Sequence, residues 1–213
     1  MKISLILAHP QPGSFNHAIA DTAAEQLEQH GHQVRFHDLC QEQFNPALPA
    51  EELAKHAALG SVVRQHCHEI AEADGIIIVH PNWWGMPPAI LKGWLDRVLR
   101  MEVAYRFVAG RSEGLLRAHS ALVFNTANTP EAAEQELYGD PLETLWKKCV
   151  FGLCGVKNVR RRTFSPVIVS TPEQRGQWLA EVRRLVTAHY PAPVVSRHPL
   201  AAVPQPQRAR PQL

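Results

Sequence analysis

Two adjacent tryptophans stand in a loop in the stretch HPNWWGMPP, residues 80–88, directly after the apolar run Ile76–Val79. A lone loop tryptophan usually folds back onto the core, because burying it is favourable. Trp83 and Trp84, framed by Pro81, Gly85 and Pro87, can instead form the wall of a slot for a flat ring system, with backbone N–H groups reading the ring's edge. A planar aromatic cofactor fits that slot. A second stretch, AHPQPGSFNHA at residues 8–18, fixes a turn with Pro10, Pro12 and Gly13 and places Ser14 to cap a helix starting near Phe15. Free N–H groups there, together with the helix dipole, attract phosphate; Ser14 and Asn16 supply donors and His9 a charge-assisted one. For an isolated S-x-N the helix cap alone is the plainer explanation. Neither G-x-G-x-x-G nor G-x-x-x-x-G-K-[ST] occurs, so a phosphate site here is of a different type. The third stretch, NTANTPE at residues 125–131, offers small polar side chains, with Thr129 as the expected cap of a helix starting at Pro130.

Something must bring the three stretches together, and the order of elements supplies it. Ile3–Ala8 reads as a buried strand, and Ala18, Ile19, Thr22, Ala23 and Leu27 recur at helical steps between Phe15 and His30, where Gly31 ends the pattern. A strand over Gln33–Asp38 precedes an expected helix over 50–73. Strands follow at 76–79, 120–125 and 159–168, and helices at 88–101, 130–153 and 172–189. Alternating strands and helices predict an α/β fold with a parallel sheet covered on both faces. Such sheets bind ligands at the carboxyl ends of their strands, where the three stretches fall.

Composition narrows the function classes. The 213 residues, 45% hydrophobic and 20% charged, describe one globular domain over about residues 1–190. A net charge of +2 gives no reason to expect nucleic acid or an anionic membrane as partner. No apolar run approaches the roughly 20 residues needed to cross a bilayer. Four cysteines without a C-x-x-C pair, and an N-terminus that opens straight into a strand, predict a cytoplasmic chain with reduced thiols. Residues 191–213 hold six prolines and three arginines and no acid, which predicts a disordered tail or an arm lying on a partner subunit.

The stretches AHPQPGSFNHAIA, the FNP at residues 44–46 and above all HPNWWGMPPAILKGWLDRVL resemble the flavodoxin-like NAD(P)H:quinone oxidoreductases, whose loop has the form P-x-x-W-x-x-x-P-A-I-L-K-G-W. The match runs over nearly residues 1–190. It implies a flavodoxin-like three-layer sandwich with a five-stranded parallel sheet of order 2-1-3-4-5. It further implies a non-covalent flavin, FAD rather than FMN by a small margin, NADPH or NADH as electron donor, a small-molecule acceptor, and a homodimer whose active site draws on both subunits. Carried over by position, His9, Ser14, Phe15 and Asn16 hold the phosphates, Pro81, Asn82, Trp83, Trp84 and Gly85 border the isoalloxazine, and Thr126, Ala127, Asn128 and Thr129 bind its pyrimidine side. Where the relatives read T-T-G-G followed by a Tyr and a His, this chain reads TANT and has no histidine between His119 and His189. Tyr138 occupies the relatives' His position before Gly-Asp, as a phenol donor or as a packing residue, and the change weakens the case for quinone as the acceptor.

Two other function classes stay open at this level: a flavin-binding regulatory subunit of a transporter, which the unmatched catalytic positions suit, and a flavodoxin-type single-electron carrier, which the near-neutral charge disfavours. His66-Cys67-His68 suggests a metal site, but neighbouring helical residues point about 100 degrees apart, and a solvated helix face is the expectation. His30, His32 and His37 lack a carboxylate or cysteine at ligand spacing. Arg160–Arg162 reads as a solvated strand edge rather than a phosphate clamp. No metal is expected.

Overall fold

A computed structural model describes residues 1–193, so the expected tail lies, from residue 194 on, outside the described residues. The strands are β1 (Lys2–Leu7), β2 (Gln33–Asp38), β3 (Gly75–Pro81), β4 (Tyr105–Val108), β5 (Arg111–Gly114), β6 (Ser120–Thr126) and β7 (Asn158–Phe164). Five of them form one parallel sheet in the order β2-β1-β3-β6-β7, which is 2-1-3-4-5 when those five are counted along the chain. Strands β3 and β6 are buried along their full length, which is why they read as apolar runs rather than as alternating patterns.

Side-chain alternation along the strands splits the core in two. Leu5, Ile77 and Leu122 face α1 (Phe15–Gln29) and α7 (Pro172–His189), meeting Ile19, Leu27, Trp178 and Val182. Ile6, Ile76, Ile78 and Val123 face the opposite layer, where Val63 and Ile70 of α2 (Ser61–Glu72) join Leu91 and Trp94 of α3 (Ala89–Val98). Each such aliphatic side chain contributes roughly 1.5–3 kcal/mol when buried. Among the described residues, no helix is long and apolar enough to cross a membrane.

Three expectations are corrected, and one element is new. The helix expected over 50–73 is a 3-10 turn at Ala50–Leu53 followed, after an irregular stretch, by α2. Leu53 is 70% exposed and extends no buried face, while Glu52 is pinned to α3 by its ion pair with Arg97. The helix expected over 130–153 breaks where Gly139 and Asp140 are both left-handed. It becomes α4 (Glu131–Tyr138), α5 (Pro141–Thr144), a π-helical stretch Leu145–Val150 and α6 (Phe151–Cys154). The last strand stops at Phe164, two residues before Pro166, which has no N–H for the ladder. A hairpin, β4 with β5, stands outside the main sheet and was not foreseen.

The FNP motif has a packing reason. A Cβ on Gly93 would lie 2.2 Å from the carbonyl oxygen of Pro46, so only glycine lets this loop lie on α3. Phe44 is buried beside it, and the Arg97 guanidinium donates to the Asn45 carbonyl at 2.6 Å.

Candidate functional site

The loops after β1, β3 and β6 converge with the segment after β7 around two adjoining cavities. The larger, about 600 Å³, is lined by His9, Ser14, Phe15, Asn16, Pro81, Asn82, Trp83 and the run Thr126–Thr129, closed by Val167, Ile168 and Arg175. The smaller, about 450 Å³, shares Asn82 and Ala127–Thr129 and adds Trp84, Gly85, Glu134, Tyr138 and Pro141. Every residue named from the sequence for the cofactor thus stands on one continuous cleft. Tyr138, 64% exposed at the last position of α4, stands at its rim.

The tryptophan loop owes its shape to a tight turn. Trp83 and Met86 exchange two backbone hydrogen bonds, at 3.1 and 3.0 Å, across Trp84 and Gly85, whose φ angles are 58 and 71. Positive φ at both central residues is the type I′ signature, which favours Asn-Gly. A tryptophan there is strained by about 1–2 kcal/mol. Trp84 is fully exposed, so its side chain gains no packing among the described residues to offset that strain, while Trp83 is 44% exposed.

Beneath the turn lies a buried hydrogen-bonded layer that sequence reasoning missed. The indole Nε1–H of Trp146 donates to His80 Nε2 at 3.0 Å, as does Asn125 Nδ2 at 2.7 Å. An indole has no acceptor, so His80 carries its proton on Nδ1 and donates it to the Pro81 carbonyl at 2.8 Å. Burial lowers the His80 pKa from 6.5 to about 4, keeping the ring neutral. Asn125 Oδ1 in turn accepts from Arg161, which also pairs with Asp140 and Glu143 and so anchors the chain just after Tyr138. Arg161 is 7% exposed at its side chain, correcting the solvated-edge expectation for the arginine run; Arg162 pairs with Glu181, and Arg160 alone is exposed.

Within the cleft, Ser14 caps α1, accepting from the His17 N–H at 3.4 Å, as expected. Asn16, 3% exposed, donates its amide to Thr126 Oγ1 at 2.9 Å and ties two walls together. Thr129 does not cap α4: the N-cap position belongs to Pro130, and no side chain bonds there. Asn128 Oδ1 accepts from the Ile168 N–H at 3.1 Å, fixing the far lip. Burial lowers the His9 pKa, and its Nδ1 lies 3.2 Å from the Gln11 backbone nitrogen, which disfavours the charged donor expected there.

Two polar groups point to what the cleft takes. Asn82 donates to Glu134 at 3.0 Å, but its Oδ1 is buried without a partner among the described residues, an acceptor awaiting a donor. Arg175 lines the cleft in the first turn of α7, with no ion pair among the described residues. A cation at a helix N-terminus opposes the dipole, and that local mismatch was the sequence signal that could have exposed it.

The histidines elsewhere are corrected too. His66 and Cys67 are buried rather than solvated, and only His68 is exposed. His30 and His32 each donate to the Tyr190 carbonyl, at 2.9 and 3.0 Å. His37 does have carboxylate partners, Glu42 at 2.8 Å and Glu69 at 2.6 Å. His37, Glu42 and His66 are close enough to hold a metal ion. The Trp94 indole, however, donates to His66 Nδ1 at 3.0 Å, which leaves the hydrogen on Nε2, the atom that faces Glu42 and would have to be the ligand.

Comparison with known proteins agrees with this architecture. An uncharacterized NAD(P)H oxidoreductase of Haemophilus influenzae is 36% identical over 76% of this chain and 83% of its own length. The human ribosyldihydronicotinamide dehydrogenase [quinone] is 30% identical over 91% of this chain and 94% of its own. The solved NAD(P)H:quinone oxidoreductase of Methanothermobacter marburgensis superposes with a TM-score of 0.74 at 26% identity, covering 87% of this chain and 95% of that one. The Flavodoxin_2 family, described by its flavodoxin-like fold, matches residues 1–186, and the chain belongs to it, among the NAD(P)H:quinone oxidoreductases.

Proposed function

We propose that the cleft holds a flavin, FAD or FMN, and that the protein is an NAD(P)H-dependent oxidoreductase passing two electrons to a quinone or similar small-molecule acceptor. The carrying observation is the convergence, in one cleft at the carboxyl edge of the sheet, of a tryptophan-walled slot with a buried Asn82 acceptor and an Arg175 that have no partner among the described residues. The residues fit the group: Trp83 offers a face to a flat ring, Asn82 Oδ1 an acceptor for a ring N–H, and the start of α1 with Ser14 and Arg175 an anion site. When bound, a flavin supplies hydride transfer between nicotinamide and acceptor.

The chain's own part is position and exclusion of water. Asn125 fixes the His80 ring, which holds the Pro81 carbonyl, the type I′ turn sets the tryptophans, and Asn16 with Thr126 ties two walls of the cleft together. Tyr138 presents a phenol hydrogen at the open side of the smaller cavity, where it steadies charge on a substrate oxygen. Trp84 and Tyr138 line that cavity and are exposed, as are the neighbouring apolar residues Met86 and Leu137, and a second copy of the chain would cover them.

The visible spectrum of purified protein tests this reading. Flavin bands that bleach with NADPH or NADH, and steady turnover with a quinone, are expected. Trp83→Ala should lose the colour while keeping its far-UV circular dichroism, because the ring wall goes and the core stays. A colourless protein that takes up neither FAD nor FMN would overturn the assignment. A flavin-loaded one without turnover would favour the regulatory role.

A further inference from the structure

Ser14, His17 and Asp38 form a hydrogen-bonded row at the phosphate end of the cleft. His17 Nδ1 lies 2.8 Å from Ser14 Oγ, and Nε2 lies 3.1 Å from Asp38 Oδ2. Asp38 is held rigid by the backbone N–H groups of Cys40 and Gln41, which donate to its Oδ1 at 3.0 and 3.1 Å. The His17 side chain is 17% exposed and that of Asp38 is 12% exposed, so water competes poorly for these bonds.

The donors and acceptors in this row admit two states. An ionised carboxylate only accepts, so Asp38 fixes a hydrogen on Nε2. In the neutral ring Nδ1 is then a bare lone pair, and the bond to Ser14 must use the only hydrogen that the serine has. Ser14 in that state has no hydrogen left for the cleft and turns a lone pair toward it, which repels an anion. A proton added at Nδ1 reverses the bond: the imidazolium donates to Ser14 and to Asp38 together, and the serine hydrogen is free to swing into the cavity that Ser14 lines with Arg175.

We infer that His17 is a positioning residue for the cofactor's phosphate: it makes Ser14 a donor only when protonated, so that binding a phosphate takes up one proton from solvent onto His17 Nδ1. The inference rests on the flavin reading and adds to it a residue that touches no cofactor. The titratable and charged groups around His17 are His9 from the loop after β1, with ring centroids 6.2 Å apart, Asp38 and Cys40 from the end of β2, and Asp21 one turn further along α1. Of these, Asp38 alone bonds the ring directly and sets which nitrogen holds the hydrogen.

The test compares the affinities of FAD and riboflavin for the flavin-free full chain over a stepped pH series that runs from mildly acidic to mildly alkaline. The FAD diphosphate does not titrate near neutrality, and riboflavin has no phosphate. If the site takes only FMN, the comparison starts above about pH 7, where a phosphate monoester is largely dianionic. FAD affinity should fall with rising pH by up to about tenfold per pH unit while riboflavin affinity stays flat. Asp38→Asn is the sharp variant: its amide keeps the acceptor for Cys40 and Gln41 and donates to Nε2, so the neutral ring carries its hydrogen on Nδ1 and frees Ser14 without a proton. That variant should bind FAD tightly across the range, with the slope gone, and His17→Gln should also lose the slope. Equal slopes for FAD and riboflavin, or a slope that survives either substitution in folded protein, would overturn the inference. Failure of every flavin to bind at any pH would instead defeat the cofactor reading.

Discussion

Four tryptophans form two contrasting pairs. Trp94 and Trp146, in helical segments, are 1% and 0% exposed, and each donates its indole N–H at 3.0 Å to a buried histidine, His66 and His80. Trp83 and Trp84, in the loop above, are 44% and 100% exposed and make no side-chain hydrogen bond among the described residues. The lower pair builds a rigid, fully bonded layer; the upper pair is held by that layer and contributes little to folding. Stability and recognition are therefore carried by the same residue type in different settings, and they should separate under mutation.

The largest separation should come from Trp146→Ala. Removing a fully buried indole opens a cavity and leaves His80 Nε2 short of one donor, for a loss of about 3–5 kcal/mol. Urea unfolding should show it as a lowered midpoint at unchanged slope. The flavin-free Trp83→Ala protein should unfold at nearly the wild-type midpoint. Equal losses for the two would erase the distinction between the layer and the loop.

Acid probes the same layer through its histidines. The pKa values of His66 and His80 are lowered by burial from 6.5 to about 4, so between those values the unfolded chain binds protons that the native one does not. Stability then rises with pH: it is complete above about pH 6.5 and falls as pH drops toward 4, by up to roughly 3 kcal/mol per histidine. Urea midpoints measured at stepped pH should show that decline, and His80→Gln should remove part of it. A flat profile below neutrality would mean that the layer opens to water.

Much of the fold was legible because the buried strands are continuous apolar runs and their order follows from the family motif. Less was legible where tertiary contacts override local pattern. The β4–β5 hairpin pairs two four-residue strands whose exposed residues, Arg106 with Glu113 among them, show no apolar alternation. The 3-10 turn at Glu52 exists for an ion pair 45 residues away. Val63, His66, Cys67 and Ile70 do fall on one helical stripe, so the burial of His66 was written in the spacing; its residue type hid it. In the cleft the nominated residues were found by motif. Arg175 and His17 were not: the one local signal for Arg175, a cation in the first turn of its helix, was passed over, and His17 acquires its Asp38 partner only on folding.

The smallest expected effect has the opposite sign. Trp84 sits at the first central position of a type I′ turn with φ 58, where asparagine is at ease and a bulky side chain is not. Its side chain is fully exposed, so replacing it removes no packing within the chain. Trp84→Asn should therefore stabilise the flavin-free protein by about 0.5–1 kcal/mol, read as a raised urea midpoint at protein concentrations low enough to keep single chains apart. The same variant should bind flavin less tightly, because one of the two indoles that shape the slot is gone. A gain in stability coupled to a loss of affinity would identify the strain as one retained for function. A loss of stability in isolated chains would show instead that Trp84 packs within its own subunit, and the contrast between the upper and lower tryptophans would narrow to Trp83 alone.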